Sequence, residues 1–460
     1  MIDPSQHVHF VGVGGVGMSA LAHLLLARGV MVSGCDIRAS EVTRRLEEMG
    51  AVIHEGHAPS HLSGVDLVVV TRAVGLENPE LLAARRRGLP VRHRAELLAQ
   101  VMTEGRSIAV AGTHGKTTTT AMTAAVLIEG GFDPTALVGA EVPAFGGNTR
   151  VGRGSWTVAE VDESDGSLVD VVPWAAVVTS IDLTDHADFY ASAHQLEATF
   201  IRFLQGIKPD GFAVLCADHR TVARMARSVS VPTVTYGLSS DADVTGEVEE
   251  LSGARSVAQV RRGGRRLGKI TLAVPGRYNV ANALAAVAVG LQVEIPFETI
   301  GRALAAFRGV ARRFAIQGEV GGILVADDYA HNPVKVAAVL RAARECWPGR
   351  RVVALFQPHR YSRTRTTHAQ FANAFRDADE VFITEIYPAD EAPIPGVTAA
   401  LIVNAVAARR PVTFVSSAEA AVERVTGAAR EGDLILTLGA GDIGESAATI
   451  VERLAVRVSS

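Results

Sequence analysis

The sequence predicts an α/β fold built from several parallel β-sheets. Short apolar runs alternate with helical stretches along most of the chain, a rhythm typical of parallel strands covered by helices. Two of these runs enter glycine-rich turns, at Gly12–Gly17 and at Gly112–Gly115, and each turn leads directly into a helix. The rhythm restarts after Arg308–Phe314, and 460 residues are too many for one ordinary domain. We therefore expect three α/β units along the chain.

Composition places the chain among ordinary globular proteins. It is 48% hydrophobic and 20% charged, and its net charge of −4 gives no electrostatic case for nucleic acid or an anionic membrane. Cys35, Cys216 and Cys346 are too widely spaced for a disulfide framework or a zinc pattern, and they suit a reducing compartment. The N-terminus lacks a signal-peptide pattern, and no apolar stretch reaches the roughly 18 residues of a membrane helix. We expect a cytoplasmic protein with no nucleic-acid partner and no membrane insertion.

The first unit carries a pattern typical of dinucleotide binding. A strand over Val8–Val11 runs into G-V-G-G-V-G, and a helix over Met18–Arg28 leads to a second strand, Met31–Cys35, which ends at Asp36. In that pattern the acid binds a ribose 2′-OH. The glycine loop requires only that a pyrophosphate approach a helix N-terminus, so a uridine diphosphate fits as well as NAD. A nicotinamide-dependent dehydrogenase is therefore an open hypothesis at this point.

The rest of the first unit continues the alternation. Its predicted elements are strands Val52–His54, Leu67–Thr71 and Val91–Arg92 and a helix over Pro79–Arg87. The basic run Arg85–Arg87 is expected to be a solvated helix face.

The second unit begins with a phosphate-binding loop. The strand Ile108–Ala111 precedes G-T-H-G-K-T-T-T-T, which opens a helix that reaches Glu129. Val110 stands where the strict G-x-x-x-x-G-K-[ST] motif has its first glycine, while the rest of the motif is intact. Lys116 is expected to reach the β- and γ-phosphates and the Thr117 hydroxyl to bind Mg²⁺. The loop predicts that this protein uses a nucleoside triphosphate.

Acidic residues follow two later strands of this unit. Trp156–Asp165 is predicted as a strand that carries Glu160 and ends in an acidic cluster, and Ala175–His186 as a strand that runs into Asp185 and His186. Glu160 has apolar neighbours in the sequence. Burying its carboxylate among them without a partner would cost free energy, which favours a role in metal binding. We expect Glu163 to belong to a solvated turn.

Residues 211–275 predict strands and turns, with a basic hairpin turn at Gly263–Arg266. Asn279 and Asn282 then precede the apolar helix Ala283–Gly290. Helix capping is the favoured role for this pair, and a contact with a base or ribose is the alternative.

The third unit has polar loops at its strand ends. Its predicted elements are strands Ile323–Ala326, Val352–Phe356, Glu380–Thr384, Val412–Val415 and Leu434–Thr437 and a helix over Val334–Arg344. His359 lies beside Arg360, Arg363 and Arg365, a group suited to binding carboxylate or phosphate. An exposed basic loop is an equally good interpretation.

Taken together, these segments resemble a known family. The chain contains in order A-G-T-H-G-K-T-T-T-T, E-V-D-E-S-D, G-R-Y-N-V-A-N-A, A-R-R-F, D-D-Y-A-H-N-P, F-Q-P-H-R-Y-S-R-T-R and G-A-G-D-I. They resemble the motifs of the Mur ligases, and the likeness extends from His9 to about Ile443. The opening H-F-V-G-V-G-G-V-G-M-S is similar to the loop that meets a uridine diphosphate sugar in that family, which counts against the dehydrogenase hypothesis.

The resemblance implies three domains. These are a Rossmann-like UDP-sugar-binding domain over residues 1–104, a central ATP-binding P-loop domain with a mostly parallel sheet over residues 105–311, and a Rossmann-like domain over residues 312–460. The last is expected to close on the nucleotide and the amino acid.

The resemblance also implies roles for individual residues. Those implied to be catalytic are Lys116, His186, His331 and Arg360. Those implied to bind ATP are Gly112, Thr113, His114, Gly115, Lys116, Thr117, Thr118, Asn279, Asn282, Arg313 and Asp328. Those implied to bind the UDP-sugar are Gly14, Gly15, Gly17, Met18, Ser19, Asp36, Thr71 and Arg72. His359, Arg360 and Arg363 are implied to face the amino acid, and Thr117, Glu160 and His186 to hold Mg²⁺.

Within the family, the motifs are closest to those of the member that joins L-alanine to UDP-N-acetylmuramate. The implied activity is ATP-dependent amide-bond formation through an acyl phosphate in peptidoglycan precursor synthesis, with ATP and Mg²⁺ required and a monomer or weak homodimer as the working unit. The chain differs from the family's pattern at Arg72, Tyr278, Ala330 and Asn332, and its S-I-D-L-T-D-H stretch is one residue longer. A recycling ligase that adds a tripeptide to the same sugar, and a non-catalytic sensor of ATP and the UDP-sugar, are the alternatives.

Overall fold

The computed structural model describes residues 2–182, 189–239, 241–389 and 391–459. Within these ranges the strands form three β-sheets, and the strands of each sheet are consecutive in the chain. The α/β fold predicted from the alternation of strands and helices is confirmed.

The first sheet is entirely parallel, in the order β3-β2-β1-β4-β5. Its strands are β1 His7–Val11, β2 Met31–Asp36, β3 Val52–Glu55, β4 Leu67–Val70 and β5 Val91–His93. Its helices are α1 Val16–Ala27, α2 Glu41–Glu48, α3 Pro79–Arg87 and α4 Arg94–Thr103. The basic run at the end of α3 is exposed, as predicted.

The second sheet has the order β15-β14-β13-β12-β11-β10-β6-β9-β7-β8. Its strands are β6 Arg106–Ala111, β7 Thr135–Val142, β8 Gly147–Arg150, β9 Trp156–Glu160, β10 Ala175–Val178, β11 Phe212–Cys216, β12 Thr233–Gly237, β13 Val244–Ser252, β14 Arg255–Arg262 and β15 Arg265–Leu272. Its helices are α5 Lys116–Glu129, α6 Ala193–Gln205, α7 Arg220–Met225, α8 Arg277–Gln292 and α9 Phe297–Ala306. In this spatial order every neighbouring pair from β13 to β7 is parallel, and the antiparallel pairs lie at the two edges of the sheet. The prediction of a mostly parallel sheet is confirmed.

Helix α8 explains the long apolar run of this unit. Residues 282–290 are all buried, and α8 packs on α5 and on the sheet. A helix that is apolar around its circumference has to be covered on all sides, and this one forms the centre of the second unit. It begins at Arg277, six residues before the predicted start at Ala283, so the expectation that Asn279 and Asn282 cap it is wrong: the residue at the cap is Gly276.

The third sheet has the order β16-β17-β21-β18-β19-β20, with only the edge strand β16 antiparallel among these strands. Its strands are β16 Ala315–Val320, β17 Ile323–Asp328, β18 Arg351–Phe356, β19 Glu380–Ile383, β20 Val412–Phe414 and β21 Asp433–Leu438. Its helices are α10 Pro333–Cys346, α11 Tyr361–Thr367, α12 Phe371–Ala374, α13 Ala400–Ala407, α14 Ala418–Ala428 and α15 Ser446–Ser459. Along β18, Val352, Ala354 and Phe356 pack into the core on one face, whereas Val353 and Leu355 pack into the core on the other. A strand buried on both faces reads as a continuous apolar run.

None of the described helices is both long enough and apolar enough to cross a lipid bilayer. The three cysteines are buried and free, which confirms that they form no disulfide.

Candidate active site

The phosphate-binding loop connects β6 to α5 and depends on two glycines. Gly112 has φ +125°, and a Cβ there would lie 2.3 Å from the Thr179 hydroxyl oxygen. Gly115 has φ +83°, and a Cβ there would lie 2.5 Å from Oδ1 of Asn282. Neither position accepts a side chain without displacing its neighbour. Val110 interrupts the strict motif because it is still part of β6, where it pairs with Val177 of β10 on one side and Glu160 of β9 on the other.

Residues at the end of β10 hold the loop in place. The Thr113 N–H donates to the Ser180 carbonyl at 2.9 Å, and the His114 N–H donates to the Ser180 hydroxyl at 2.9 Å. The Nε2 atom of His114 lies 3.5 Å from a carboxylate oxygen of Asp182. The adjoining residues 183–188, which include the predicted ligand His186 and the neighbouring Asp185, lie outside the described residues.

Lys116 is paired with a buried carboxylate. Its Nζ lies 3.1 and 3.0 Å from the two oxygens of Glu163, whose side chain is fully buried. The expectation that Glu163 belongs to a solvated turn is therefore wrong, because the turn after β9 folds back over the loop and brings this carboxylate to the lysine. Burial would lower the pKa of Lys116, but the negative charges of Glu163, Asp162 and Glu160 outweigh it and raise that pKa above its usual value. Lys116 is a fixed positive charge in the cleft.

Oxygen donors suited to a hard cation lie beside this lysine. Thr117 and Glu160 both line the cleft, and a carboxylate oxygen of Glu160 accepts the Gly139 N–H at 3.0 Å. The Thr117 hydroxyl accepts a hydrogen bond of 3.2 Å from the Arg313 guanidinium. A hydroxyl and a carboxylate fit Mg²⁺, which takes a few protein oxygens and keeps several waters.

The two asparagines of α8 link the helix to the loop. Asn282 accepts a hydrogen bond of 3.3 Å from the Thr119 hydroxyl and donates one of 3.3 Å to Asn279. Asn279 in turn donates to the Pro275 carbonyl at 2.8 Å. Asn282 lines the cleft, as do Thr113, His114 and Thr118.

The third unit contributes arginine, histidine and aspartate side chains. Asp328 at the end of β17 is buried and accepts the N–H groups of Phe314 at 2.7 Å and Ala330 at 2.8 Å. Burial raises its pKa to about 6, although the Arg313 charge acts in the opposite direction. Tyr278, where the family pattern has histidine, lines the cleft near this carboxyl.

The predicted amino-acid side of the cleft is assembled from two loops. Nδ1 of His359 lies 3.0 Å from a guanidinium nitrogen of Arg363, and the rings of His331 and His359 have centroids 5.8 Å apart. Arg360 adopts φ +70°, and its N–H donates to the Tyr387 carbonyl at 2.9 Å. All four side chains line the cleft. The interpretation of this segment as a simple exposed loop holds only for the side chain of Arg365, which is exposed.

The first unit contributes its glycine loop and Arg72. Gly15, Gly17, Met18, Thr71 and Arg72 line the cleft. A guanidinium nitrogen of Arg72 donates to the Asp165 carbonyl, and the guanidinium lies 4.9 Å from the ring centroid of Phe189. Arg72 thus bridges the first and second units.

Three of the predicted UDP-sugar residues are occupied with contacts inside the protein. The Asp36 carboxylate accepts the Gly14 N–H at 2.8 Å. Ser19 is buried in α1, where its hydroxyl donates to the Val16 carbonyl at 3.1 Å. Asp36 thus holds the glycine loop, whereas the Ser19 hydroxyl bonds within its own helix.

One cleft of about 1650 Å³ unites these parts, because the carboxyl ends of strands from all three sheets face it. It also brings in basic residues that sequence analysis missed, namely Arg94, Arg312 and Lys335. Arg94 is the first residue of α4, and Lys335 lies in the first turn of α10. The sequence offered one signal for such residues, a basic side chain at the start of a helix that follows a strand. Nothing in the sequence says which of these helix starts face a shared cleft.

Comparison with known proteins agrees with this geometry. Residues 7–106 match the model described as Mur ligase family, catalytic domain, residues 110–290 match the Mur ligase middle domain, and residues 312–441 match the Mur ligase, glutamate ligase domain. The chain is 49% identical over 441 residues to the UDP-N-acetylmuramate–L-alanine ligase of Anaeromyxobacter dehalogenans strain 2CP-C, with 95% of each chain covered. It is 46% identical to the enzyme of the same name from Geobacter sp. strain M21, with 99% of each chain covered.

The fold matches a solved structure as well. The UDP-N-acetylmuramate-alanine ligase MurC of Thermotoga maritima superposes with a TM-score of 0.84 at 32% identity, and the match covers 99% of this chain and 100% of the other. The resemblance drawn from the motifs is confirmed over the full length. The chain belongs to the Mur ligase family.

Proposed function

We propose that this protein joins L-alanine to the lactyl carboxylate of UDP-N-acetylmuramate and converts ATP to ADP and phosphate as it does so. One observation carries the proposal: a phosphate-binding loop with its lysine and a cluster of arginine and histidine side chains face the same cleft from different sheets. The loop suits a triphosphate, and the arginine cluster suits a carboxylate or an acyl phosphate. The two relatives described above carry the name of this activity.

The chemical task is to make a carboxylate electrophilic. Transfer of the γ-phosphoryl group to the carboxylate gives an acyl phosphate, and the amine of alanine then displaces phosphate from it. Two anions have to meet in the first step, so the cleft must supply positive charge. Lys116, the N–H groups of the loop and the Arg313 guanidinium supply it.

Lys116 is already held in position by Glu163. When a triphosphate binds, the ammonium group of Lys116 exchanges part of its contact with Glu163 for contacts with phosphate oxygens. Glu163 then limits the movement of the lysine side chain. Thr117 and Glu160 would hold Mg²⁺, with His186 as the further ligand implied by the family resemblance. When bound, Mg²⁺ neutralises phosphate charge.

We propose that His359, Arg360 and Arg363 hold the acyl group and the alanine carboxylate, with Arg360 and Lys116 at opposite sides of the reacting atoms. His331 lies close enough to His359 to share a substrate or a water with it. Holding the reactants in line lowers such a barrier by roughly 7–11 kcal/mol.

The proposal extends to the roles of the three domains, the cellular compartment and the oligomeric state. Residues 1–104, 105–311 and 312–460 act as domains that bring the UDP-sugar, the ATP and the amino acid respectively. A reaction that uses ATP and a nucleotide sugar fits the cytoplasm and peptidoglycan precursor synthesis. A monomer or weak homodimer is sufficient, since the three units of one chain supply the residues of the cleft.

The test is phosphate release from ATP with Mg²⁺ and UDP-N-acetylmuramate, with and without L-alanine. Release that depends on both the sugar and alanine supports the proposal. Release with the tripeptide L-alanyl-γ-D-glutamyl-meso-diaminopimelate and not with alanine would identify a recycling ligase. Binding of ATP and the UDP-sugar without release under any condition would identify a sensor.

A further inference from the structure

A second cluster of chemically active side chains lies in the first unit, on the face of the sheet covered by α3. His9 of β1, Cys35 of β2 and Glu80 of α3 are each fully buried, and their ligand atoms lie within 4.8 Å of one another. His57, in the loop after β3, places its Nδ1 atom 3.1 Å from Sγ of Cys35 and 3.7 Å from a Glu80 oxygen. None of these four residues lines the cleft.

We propose that His9, Cys35, His57 and Glu80 form a structural site for a zinc-like divalent cation. The donor set consists of two imidazoles, one thiol and one carboxylate. Imidazole and thiolate ligands select Zn²⁺ and related transition metals over Mg²⁺, which prefers oxygen.

His9, Cys35 and Glu80 lie close enough to one another to share one small ion, and His57 lies next to two of them. Bonds of the usual zinc lengths in a tetrahedron place neighbouring ligand atoms about 3.3–3.8 Å apart. Here His9 Nε2 lies 3.4 Å from Glu80 Oε2, and the two His57 separations are 3.1 and 3.7 Å. The Cys35–Glu80 separation is shorter, 2.7 Å, because the thiol donates a hydrogen bond to the carboxylate. Replacing that proton by a metal removes the hydrogen bond and lets the two atoms separate.

The hydrogen bonds behind the cluster leave Nε2 of His9 available as a ligand. Nδ1 of His7 lies 3.1 Å from the Gly64 carbonyl, which can only accept, so Nδ1 of His7 carries the proton. Nε2 of neutral His7 then accepts from the Ser33 hydroxyl at 2.8 Å. The Ser33 oxygen therefore accepts from Nδ1 of His9 at 2.8 Å, and in neutral His9 the lone pair is on Nε2.

That lone pair faces the carboxylate of Glu80. A buried imidazole lone pair beside a carboxylate is stabilised when a proton or a metal cation lies between them. A partner that fixes the tautomer of a ligating histidine, as Ser33 does for His9, is a regular feature of metal sites.

The other oxygen of Glu80 is also fixed. It accepts from the Ala58 N–H at 3.1 Å and lies 2.6 Å from Nδ1 of His61. One carboxylate oxygen is therefore anchored by the protein, while the other faces the cluster.

Charge balance favours a divalent ion. A thiolate and a carboxylate carry two negative charges, and two neutral imidazoles carry none, so a divalent cation makes the buried site neutral. Binding releases the thiol proton to solvent as the metal–sulfur bond forms. The cation would connect β1, β2, α3 and the loop after β3. One of its ligands, Cys35, precedes Asp36, whose carboxylate accepts the Gly14 N–H of the glycine loop.

The experiment uses the full chain, stripped with a chelator and titrated with Co²⁺ in excess Mg²⁺, so that oxygen-rich sites are already occupied. We expect one Co²⁺ per chain, a cobalt–thiolate charge-transfer band and the intense visible bands of tetrahedral coordination. Zn²⁺ should bleach these bands and raise the Tm of the wild type.

The variants locate the site. Cys35→Ser should lose the thiolate band and bind Co²⁺ at least about 10–100-fold more weakly, since changes even beyond the direct ligands have effects of that size. His57→Gln should keep the band at reduced affinity. Cys346→Ser, which removes another buried thiol, should match the wild type.

Absence of stoichiometric Co²⁺ in the wild type, a spectrum without the thiolate band, or an unchanged band in Cys35→Ser would overturn the proposal. Circular dichroism checks that each protein is folded. If Cys35→Ser does not fold, the wild-type spectrum and His57→Gln decide the question. Because Co²⁺ binding and Tm are measured without substrates, the result does not depend on the proposed ligase activity.

Discussion

Charged residues of the cleft form pairs of opposite charge, and the carboxylate of each pair is buried. Lys116 has Glu163 as its partner, and Asp328 lies near Arg313. Glu163 and Asp328 are buried, so the loss of the basic partner leaves a buried carboxylate without compensation. Activity and pH response should therefore be sensitive to single substitutions here.

Lys116→Ala should lower alanine-dependent phosphate release on the order of 10³-fold, because a positive charge that acts on the transferring phosphoryl group is lost. Binding of the UDP-sugar, measured by calorimetry, should change little. Lys269→Ala, on the exposed face of β15, is the control and should keep the wild-type rate. A Lys116→Ala enzyme with wild-type turnover would contradict the phosphate-loop assignment.

Asp328 should make stability depend on pH in a defined direction. Its pKa is raised to about 6 in the folded protein, so between pH 4 and 6 the folded state binds more protons than the unfolded state. The stability from this group is fully present below about pH 4 and is lost as the pH rises through about 6, by roughly 3 kcal/mol at most.

Thermal unfolding across this range checks the direction. In Asp328→Asn, which resembles the protonated acid, the decline of Tm with rising pH should be shallower than in the wild type. Asp170→Asn, at an exposed position, should leave the wild-type slope unchanged. Equal slopes in Asp328→Asn and the wild type would show that the pKa of Asp328 is not raised.

At the residue scale, the sequence indicates the position of a side chain where a backbone motif fixes it, and does not where tertiary packing does. Lys116 and Thr117 follow from the glycine loop and the helix that starts there. Glu163 looked like part of a solvated turn, since nothing in E-V-D-E-S-D says that the turn folds back onto the lysine. The spacing of the cysteines likewise hid the cluster around Cys35, because its other members come from separate elements.

Among the elements, the loop between β6 and α5 is the most tightly constrained. Its two glycines meet the end of β10 and the side chain of Asn282 from α8. The loop is thus held between a neighbouring strand and a neighbouring helix, and it presents the start of α5 to the cleft without a side-chain cap.

Gly112→Ala should impair both stability and ATP use. The new Cβ would lie 2.3 Å from the Thr179 oxygen and 2.8 Å from the Ser180 carbonyl oxygen, at φ +125°. Gly131→Ala is a matched control, because it also has positive φ, at +82°, but open space around the Cβ. The control should lose about 1 kcal/mol of stability.

Urea unfolding and ATP turnover measure the two effects. The Gly112→Ala variant should be less stable than the control and should lose most of its phosphate release. If both variants lose the same stability and both keep activity, the close approach of the loop to β10 is not important.

The N-cap of α10 accounts for one departure from the family pattern. The Asn332 side chain accepts the Lys335 N–H at 2.8 Å, so asparagine here is a helix cap. Asn332→Ala should lower stability by about 1 kcal/mol, whereas Asn332→Ser keeps a capping oxygen and should lose less. Equal losses in the two variants, measured by urea unfolding, would show that the cap is unimportant.

The elements that sequence analysis predicted are those with a clear signal of their own. The buried parallel strands and the helix over Pro79–Arg87 have an apolar run or clear start and stop residues. The edge strands β8 and β16 were missed because they are short or polar, and their pairing comes from neighbours and not from their own sequence.

At the scale of the whole molecule, contacts between units shape the cleft. Arg45 of the first unit lies 2.7 Å from Glu141 of β7, and Asn148 of β8 donates to the Val16 carbonyl at 2.7 Å. On the other side, the Arg313 guanidinium of the third unit donates to the Thr117 hydroxyl at 3.2 Å. The strands β7 and β8 and the segment around Arg313 therefore join the second unit to both others.

Arg313→Ala should weaken the use of ATP and leave the binding of the UDP-sugar intact. The guanidinium reaches Thr117 at the start of α5 from the third unit, so its loss removes charge from the triphosphate side and a contact between units. At a concentration of 100 times its Kd, a ligand stabilises the folded state by about 2.7 kcal/mol. Because Arg313→Ala should bind ATP more weakly, the same ATP concentration should raise its Tm by less than it raises the Tm of the wild type. The increase in Tm on adding UDP-N-acetylmuramate should match the wild type.

Arg308→Ala, at a nearby exposed position, should show both increases in full. A loss of both increases in Arg313→Ala would mean that the two substrates do not bind to separate units, and the division of labour among the three sheets would have to be abandoned.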